Sequence, residues 1–414
     1  MTEQHDAIVV GAGQAGLAAS YHLKQRGIEH IIIDRGQPGE TWRTQRWDSF
    51  VLNTPSLANS LPGKPFYPDT PRSFETNANL ISYLEQYADE MELPLRTGIE
   101  VKSASRATDG TSIELTTSTG NFITKNLIVA SGGQNVPMYP AGADQAPSNI
   151  LSLHGGTYRN PDQLPDGAVL IVASAQTGVQ VADEIAASGR TTYLSTSKVG
   201  RFRRAFRGSD VVQWMIKAGL MTHTPDSLEN PEDQFTTQPI ASGVDGGKTV
   251  SLQALWRSGV KLLGRFEQFE GNTAVFRDDL RENIEFGDGF STKFFGLING
   301  LADKAGAPPI EEDPADNVDP EALAINAPTR LDLEEAGIAT IIWTTGFNGD
   351  YSWINLDGHS MQRNRPVQTN GASPARGLYF IGSPWARTRA SGILYGVAAD
   401  GEEIARTIAE ALDK

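Results

Sequence analysis

A glycine-rich segment near the N-terminus has the residue spacing that binds the pyrophosphate of a dinucleotide. An apolar run at residues 7–10 leads into Gly11, Gly13 and Gly16, and a second apolar run ends at Asp34. In this pattern the first glycine permits a tight turn, the second lets the backbone approach the pyrophosphate, and the third lets helix and strand pack closely. The acid that follows accepts hydrogen bonds from a ribose hydroxyl. The segment therefore predicts a dinucleotide site.

The same pattern recurs about 160 residues further along the chain with altered glycines. An apolar run at residues 168–172 leads into a turn in which Ala173 and Ala175 replace the first two glycines, and only Gly178 is kept. A methyl group at the second position would stand where a pyrophosphate should pass. This turn either binds its nucleotide, shifted or weakly, or is a fold element without a ligand. The contacts predicted here are Ser174, Gln176, Thr177 and Gly178.

Several arginines follow this second unit between residues 201 and 207. A guanidinium forms paired hydrogen bonds with phosphate oxygens, so Arg203 and Arg204 are predicted to hold the 2′-phosphate of NADP. The alternative is a solvated basic turn without a ligand.

Composition narrows the class of protein. The 414 residues carry 50 acidic and 35 basic side chains, a formal net charge of −15, which argues against nucleic acid and anionic membrane surfaces as partners. The chain has no cysteine, which excludes disulfides and thiolate metal sites, and its six histidines are scattered, so no metal site is expected. The polar N-terminus and the lack of an apolar run near ~20 residues predict a cytoplasmic protein without a membrane span.

These patterns predict an α/β fold with two Rossmann-like dinucleotide-binding domains, the second inserted into the first, and a β-meander. The first domain is expected over residues 1–160 and 331–414, and the inserted domain over residues 161–330. A strand near residues 340–346 resembles the strand before Gly132, so each nucleotide unit is expected to have its own closing strand.

Shorter segments complete the predicted first domain. Three short strands between residues 99 and 124 form the meander, and a separate strand at residues 126–130 returns to the sheet. Residues 35–43 are predicted to be a loop. The aromatic-rich segment 44–76 shows no clear periodicity and is expected to fold over the cofactor.

Short stretches spread along the chain occur in the same order in one group of enzymes. They are GAGQAG at 11–16, TWR at 41–43, RWDS at 46–49, LNTP at 52–55, WTTGF at 343–347, FIG at 380–382 and SGILYG at 391–396. With these stretches the chain resembles the flavoproteins with two dinucleotide-binding domains, in which the first site holds FAD and the second NAD(P)H. Within them it is similar to the flavin-containing, Baeyer–Villiger and N-hydroxylating monooxygenases, in particular the bacterial flavin-dependent monooxygenase-like proteins.

The resemblance implies roles at matching positions. Asp34 would bind the adenosine ribose, the Val101 backbone would meet the adenine, and Ile393 would present its N–H to the flavin ring. Asn53 would hydrogen-bond near the reactive C4a atom of the flavin. The further FAD contacts implied, with Trp42 and Arg43 beside the flavin, are Gly11, Gly13, Gln14, Ala15, Gly16, Arg35, Thr41, Gly132, Gly382, Ser391 and Gly392.

The linker signature of these monooxygenases, F-x-G-x-x-x-H-x-x-x-Y, is matched only in part. His154 and Tyr158 fit it, whereas Ser148 and Ile150 replace the aromatic residue and the glycine. His154 either orients the nicotinamide or is a structural loop histidine.

The implied function is that of an FAD-dependent monooxygenase that uses NADPH or NADH. The nucleotide would reduce FAD, O₂ would form a C4a-(hydro)peroxyflavin, and one oxygen atom would enter a small organic substrate. Asn53 and His154 are the catalytic residues of this hypothesis. Two alternatives stay open: an FAD-dependent oxidase or dehydrogenase with a degenerate nicotinamide site, and a non-catalytic FAD-binding protein. The resemblance also suggests a homodimer.

Overall fold

The computed structural model describes residues 2–66 and 73–412. The strands are β1 (Glu3–Val10), β2 (His30–Ile33), β3 (Leu95–Arg96), β4 (Val101–Arg106), β5 (Ile113–Thr117), β6 (Asn121–Val129), β7 (Val136–Pro137), β8 (Leu151–His154), β9 (Ala168–Val172), β10 (Thr192–Ser195), β11 (Ala205–Phe206), β12 (Ser209–Asp210), β13 (Lys261–Leu263), β14 (Phe266–Glu270), β15 (Thr273–Phe276), β16 (Arg330–Asp332), β17 (Ile338–Trp343), β18 (Phe347–Asn348), β19 (Ile354–Asn355), β20 (Met361–Gln362), β21 (Arg365–Pro366) and β22 (Leu378–Phe380).

The helices follow the same chain order. They are α1 (Gln14–Gln25), α2 (Glu40–Thr44), α3 (Asn77–Glu90), α4 (Gln176–Ala187), α5 (Val211–Lys217), α6 (Val244–Gly247), α7 (Leu252–Arg257), α8 (Leu280–Lys304), α9 (Pro320–Leu323) and α10 (Leu394–Leu412). Within the described ranges, none of these helices combines the length and apolar character needed to cross a membrane.

The first sheet is built around β1, in which Ala7, Ile8 and Val9 are fully buried. Its strand order is β19-β4-β5-β6-β1-β2-β3, and β22 pairs with the second half of β6. β1 runs parallel to β2 and β6, and β6 runs parallel to β22, so their carboxyl ends lie at one edge. Strands covered on both faces are continuously apolar, as residues 7–10 of β1 and 31–33 of β2 are. This edge carries the glycine-rich turn that follows β1.

The β-meander is confirmed, with one correction. β4, β5 and β6 pair antiparallel in succession, but β6 is one continuous strand where two strands were predicted. Its first half pairs with β5 and its second half with β22. Asn126, the first residue of the second predicted strand, has a buried side chain that donates from Nδ2 to the carbonyl oxygen of Asp6 at 2.9 Å. A satisfied polar side chain does not interrupt a strand.

The second sheet is wholly parallel, with the order β13-β10-β9-β17-β8. It extends beyond the insert predicted at residues 161–330. β8 and β17 would belong to the first domain by those boundaries, but both hydrogen-bond within the second sheet. The pairing of β17 with β9 confirms the closing strand predicted for the second unit, so the difference lies in the domain boundary placed at residue 330.

Two segments beside the first sheet also bear on the site. Residues 40–44 form α2 where a loop was predicted, and this short helix has no buried residue, so it lacks the apolar spacing that predicts a helix. In the aromatic-rich segment, Trp47 and Phe50 are buried and meet edge to face with 4.9 Å between ring centres. Residues 67–72 of that segment lie outside the described residues.

Candidate cofactor and active site

The turn after β1 is closed by two backbone contacts that only glycine allows. Gly11 has φ +114°, and a methyl group there would lie 2.4 Å from the carbonyl oxygen of Ala130. A methyl group at Gly16 would lie 1.9 Å from the carbonyl oxygen of Gly11. Gly13 differs, because a methyl group there would meet no protein atom within 4 Å. The turn is therefore tight on the protein side and open where a pyrophosphate would pass.

The N-terminus of helix α1 lies at this open space. Polar groups there have no hydrogen-bond partner among the described residues. Gly13 is its N-cap and no side chain caps it, so N–H groups of the first turn are available to an anion. Gln14 donates from Nε2 to the carbonyl oxygen of Gly392 at 3.1 Å, but its Oε1 is buried with no hydrogen-bond partner. The Ser131 hydroxyl is also buried without a partner, beside Gly132 with φ +77°. Buried polar atoms are normally satisfied, so these atoms fit a bound polar cofactor.

Asp34 lies directly after β2 and fixes the shape of the turn. Its Oδ2 accepts from the Ala12 N–H at 2.6 Å, and its Oδ1 accepts from the Gly36 N–H at 2.7 Å. A carboxylate oxygen accepts more than one hydrogen bond, so a ribose hydroxyl can still bind. The Ile99 N–H donates to the Asp34 carbonyl at 2.9 Å and brings the start of β4, at Val101, to this edge.

The loop between β22 and α10 returns to the N-terminus of α1. Gly382 has φ +87°, and a methyl group there would lie 2.9 Å from Cβ of Ala15. Gly392, at the far end of the loop, accepts the hydrogen bond from Gln14. Both ends of the loop therefore lie against the dinucleotide turn.

This loop is held by its own hydrogen bonds. Ser391 Oγ accepts from the backbone N–H groups of Arg387 and Thr388, each at 3.1 Å. The Ile393 N–H donates to the Ala390 carbonyl at 3.2 Å. The N–H group that the resemblance assigns to the flavin ring therefore already has an acceptor in the structure.

Arg46 is a candidate that the sequence-based prediction missed. Its guanidinium carbon lies 4.9 Å from the centre of the Trp42 ring, and Nη2 donates to Gln134 Oε1 at 2.9 Å. Burial lowers the pKa of Arg46 to about 10, and no charged group in the described ranges offsets that cost. A half-buried cation of this kind at the edge of the first sheet can hold an anionic or carbonyl group of a ligand. Residue type alone does not distinguish such an arginine from one on the surface, so the sequence carried no signal for it.

Three residues that were predicted to contact FAD have exposed side chains. Arg35, Thr41 and Arg43 are all exposed, and Arg43 donates from Nη2 to Glu85 on α3 at 2.7 Å. Trp42 between them is half-buried, and its carbonyl accepts from Asn77 at 2.8 Å. Of the predicted TWR triplet, only Trp42 is turned toward the interior.

Asn53 connects the first nucleotide unit to the second. Its Oδ1 accepts from Gln180 Nε2 on α4 at 2.7 Å, and the same nitrogen donates to the Ala241 carbonyl at 2.9 Å. Gln180 thus holds the Asn53 carboxamide between the two units. The orientation of this carboxamide, with its oxygen toward Gln180, is assigned from these two hydrogen bonds.

His154 is engaged on both ring nitrogens. Nε2 is 3.0 Å from the Gly346 carbonyl and therefore carries the proton, while Nδ1 accepts from the Gly156 N–H at 3.1 Å. The residue is buried, and burial lowers the pKa of His154, which keeps the imidazole neutral. The Phe347 ring lies 4.6 Å away, centre to centre. This geometry favours the structural interpretation of His154 over a nicotinamide contact.

The second turn has the backbone of the first in spite of its alanines. Ala173 has φ +85°, in the region that Gly11 also occupies. Ala175 has φ −75° and ψ −170°, against −77° and −178° for Gly13. A methyl group at Gly178 would lie 1.9 Å from the carbonyl oxygen of Ala173, the distance found between Gly16 and Gly11. Positive φ at a non-glycine residue costs about 1–3 kcal/mol and is typical of ligand sites.

The other predicted residues of this turn bond to neighbouring segments. Ser174 Oγ accepts from the Ser197 N–H at 2.9 Å, just beyond β10, and Gln176 Oε1 accepts from the Ala241 N–H at 2.8 Å. Thr177 is half-buried in the first turn of α4. No side chain caps α4, so its N-terminus also offers N–H groups.

Arg203 and Arg204 have partners inside the protein. Arg204 is buried and donates from Nε to Asp210 at 2.7 Å, and its guanidinium carbon lies 4.6 Å from the centre of the Phe74 ring. Arg203 donates to the backbone carbonyls of Ala205 and Glu311. The pair is therefore not a solvated basic turn, because both side chains are buried. Arg204 Nη1 and Nη2 have no hydrogen-bond partner among the described residues, so the 2′-phosphate role stays a prediction.

Comparison with known proteins agrees with this geometry. The model of the pyridine nucleotide-disulphide oxidoreductase family matches residues 8–224 of the 414. The chain belongs to this family. An uncharacterized oxidoreductase CzcO-like protein of Geobacillus kaustophilus is 30% identical over 97% of this chain and 98% of its own length.

Two solved structures share the fold. The flavin-containing monooxygenase of Stenotrophomonas maltophilia is 20% identical, with a TM-score of 0.68 over 99% of this chain and 100% of that one. OTEMO, solved in complex with FAD and NADP, is 18% identical, with a TM-score of 0.57 over 100% of this chain and 87% of that one. The predicted α/β fold with two dinucleotide-binding units is confirmed.

As a member of the pyridine nucleotide-disulphide oxidoreductase family, the chain is a flavin-dependent oxidoreductase. The first turn fits FAD, because Gly13 leaves space and the buried Gln14 and Ser131 oxygens lack partners among the described residues. The 414 residues contain no cysteine, so a redox-active dithiol plays no part.

Gly13→Val is expected to remove FAD without unfolding the protein. The valine side chain would meet no protein atom at its Cβ but would occupy the space of the pyrophosphate. We expect FAD binding to weaken at least about tenfold, ~1.4 kcal/mol, as measured by flavin absorbance per protein. Gly296→Val, at an equally open position on α8, is the matched control. Stoichiometric FAD in Gly13→Val would contradict the assignment of this turn.

Arg204→Ala is expected to destabilise the fold by about 3 kcal/mol, because it removes the cation from a buried ion pair. The urea midpoint measures this loss, and Arg281→Ala, in an exposed pair with Glu285, should change stability by less than about 1 kcal/mol. If Arg204 only stabilises the fold, Arg204→Ala should change the Michaelis constants for NADPH and for NADH by the same factor. A rise confined to NADPH would support the 2′-phosphate role.

Proposed function

We propose that the protein is an NAD(P)H-dependent FAD monooxygenase that acts on a small organic molecule. In this proposal the first turn holds FAD and the second holds the nicotinamide nucleotide. FAD, when bound, accepts a hydride from the nicotinamide and transfers reducing equivalents to O₂.

The shared geometry of the two turns carries the proposal. The second turn keeps at Ala173 the positive φ that Gly11 has in the first turn, and a strained backbone of this kind is typical of ligand sites. The N-terminus of α4 is uncapped in the same way as that of α1. These features support a second site that receives a pyrophosphate.

The chain's own residues would orient the reactants and exclude water. Gln180, on the helix of the second unit, holds the Asn53 carboxamide of the first unit at 2.7 Å. Asn53 would thereby be placed between the flavin and the nicotinamide. Trp47, Phe50 and Leu52 are buried nearby in the chain and would keep water from that side.

One observation favours a second candidate, an oxidase or dehydrogenase reduced directly by its organic substrate. The methyl group of Ala175 packs against the main apolar core, at the place where Gly13 leaves space in the first turn. A nucleotide would have to pass this methyl group. The two candidates differ in whether NAD(P)H reduces the flavin.

Ala175→Gly distinguishes them. If the second turn binds NAD(P)H, removing the methyl group should lower the Michaelis constant of the preferred nucleotide by about 3- to 10-fold, up to ~1.4 kcal/mol, in steady-state assays. Glycine is accepted at an N-cap, so folding should be unaffected. FAD content should also stay unchanged.

The matched control is Ala187→Gly, at the exposed end of the same helix. It should leave the Michaelis constants of both nucleotides unchanged. If Ala175→Gly and the bulkier Ala175→Val both leave nucleotide use unaltered, the second turn is not the nicotinamide site.

A further inference from the structure

The loop between β22 and α10 lies where the two nucleotide units meet. Its two ends touch the dinucleotide turn, through Gly382 against Ala15 and Gly392 against Gln14. Its middle is bonded to the inserted part of the chain, because Arg389 donates its backbone N–H to the His223 carbonyl at 2.8 Å. Ligand sites form preferentially at such junctions.

Trp385 in this loop is strained and has an unused donor. It has φ +60° although it is a bulky residue, and only 4% of it is exposed. Its indole Nε1 is buried and has no acceptor in residues 2–66 or 73–412. Strain at a buried side chain with an unsatisfied N–H is characteristic of a site that is completed by a ligand.

Arg389 supplies a cation next to this donor. Its guanidinium carbon lies 5.8 Å from the centre of the Trp385 ring, and the side chain is half-buried. Burial lowers the pKa of Arg389, and no charged group of the described ranges counteracts this effect. By contrast Arg387, two residues earlier, donates to the Ala399 carbonyl at 2.7 Å and lies 3.6 Å from Asp400.

The loop holds these two side chains in place. Gln368 donates from Nε2 to the Ala386 carbonyl at 2.9 Å, and the Ala390 N–H donates to the Met221 carbonyl at 3.1 Å. Ala390 also packs in an apolar cluster with Phe202 and Trp214. Arg389 and its donors therefore border a layer of apolar side chains, beside which the apolar part of a ligand could lie.

We propose that Arg389 and Trp385 form a subsite for the carboxylate of an organic acid substrate with an apolar body. A guanidinium and an indole N–H are both donors, and together they satisfy the oxygens of one carboxylate. This inference rests on the proposed function, because it places the acid beside the flavin-binding turn. The phosphates of both nucleotides have separate sites, at the N-termini of α1 and α4.

The test uses the oxidised FAD-bound protein, with phenylacetate as the acidic probe and phenylacetamide as its neutral counterpart. Calorimetric titration should show tighter binding of phenylacetate. Arg389→Gln should weaken that binding roughly 10- to 100-fold, as expected for a hydrogen bond to a charged group. Trp385→Phe, which keeps an aromatic ring but removes the N–H donor together with the five-membered ring, should weaken it about 3- to 10-fold.

Controls separate a binding role from a folding role. Neither substitution should change phenylacetamide binding more than about twofold, and Arg389→Lys, which keeps the charge without the fork, should fall between wild type and Arg389→Gln. Arg363→Gln removes an arginine that also lies over an aromatic ring, 4.7 Å from the centre of Phe235, but that pairs with Glu232. It should leave phenylacetate binding unchanged.

The proposal is overturned if the wild-type protein does not prefer phenylacetate, or if Arg389→Gln weakens the acid and the amide equally. An Arg389→Gln variant that binds phenylacetate normally but requires more NADPH would assign the arginine to a nucleotide phosphate instead. Binding to the oxidised protein needs no reduction step. A failure of NAD(P)H to reduce the flavin would therefore contradict the proposed function and leave this test valid.

Discussion

The close approach of a helix to the turn that precedes it fixes both nucleotide units. In each unit, a methyl group at the third position of the glycine pattern would lie 1.9 Å from a backbone carbonyl oxygen. The pairs are Gly16 with Gly11 in the first unit and Gly178 with Ala173 in the second. This contact keeps the first residue of each turn at positive φ. The conformation is easy for Gly11 and strained for Ala173. An uncapped helix N-terminus at the edge of each sheet follows from the same contact.

Polar contacts hold the two units together around the candidate site. The Tyr158 hydroxyl donates to Glu184 Oε2 at 2.7 Å, and Ser49 donates to Oε1 of the same carboxylate at 2.5 Å. Ser49 and Asn53 therefore join the aromatic-rich segment to α4, and Tyr158 bonds to the same helix. A rigid junction places the two cofactor sites at a fixed separation, which hydride transfer requires.

The parts of the site governed by backbone sterics were predictable from the sequence. The spacing of Gly13 and Asp34 predicted the first turn, because each position of that pattern meets a steric or hydrogen-bonding requirement of the turn. The roles of the arginines were not predictable from the sequence. The same guanidinium can form a buried ion pair, lie in solvent or bind a ligand, and residue type does not distinguish these cases. Arg204 proved to be a buried ion-pair partner, and Arg46, unassigned from the sequence, is a half-buried cation beside Trp42. Long-range pairing also decided that β8 and β17 belong to the second sheet.

The central claim is that the second turn, although it contains two alanines, still delivers a nicotinamide nucleotide to the flavin. The most direct measurement is rapid anaerobic mixing of the FAD-bound protein with NADPH and, separately, with NADH, while flavin absorbance is followed. The account predicts fast loss of the oxidised-flavin absorbance with at least one of the two nucleotides. A flavin that stays oxidised with both, yet is reduced by an organic substrate alone, would contradict it.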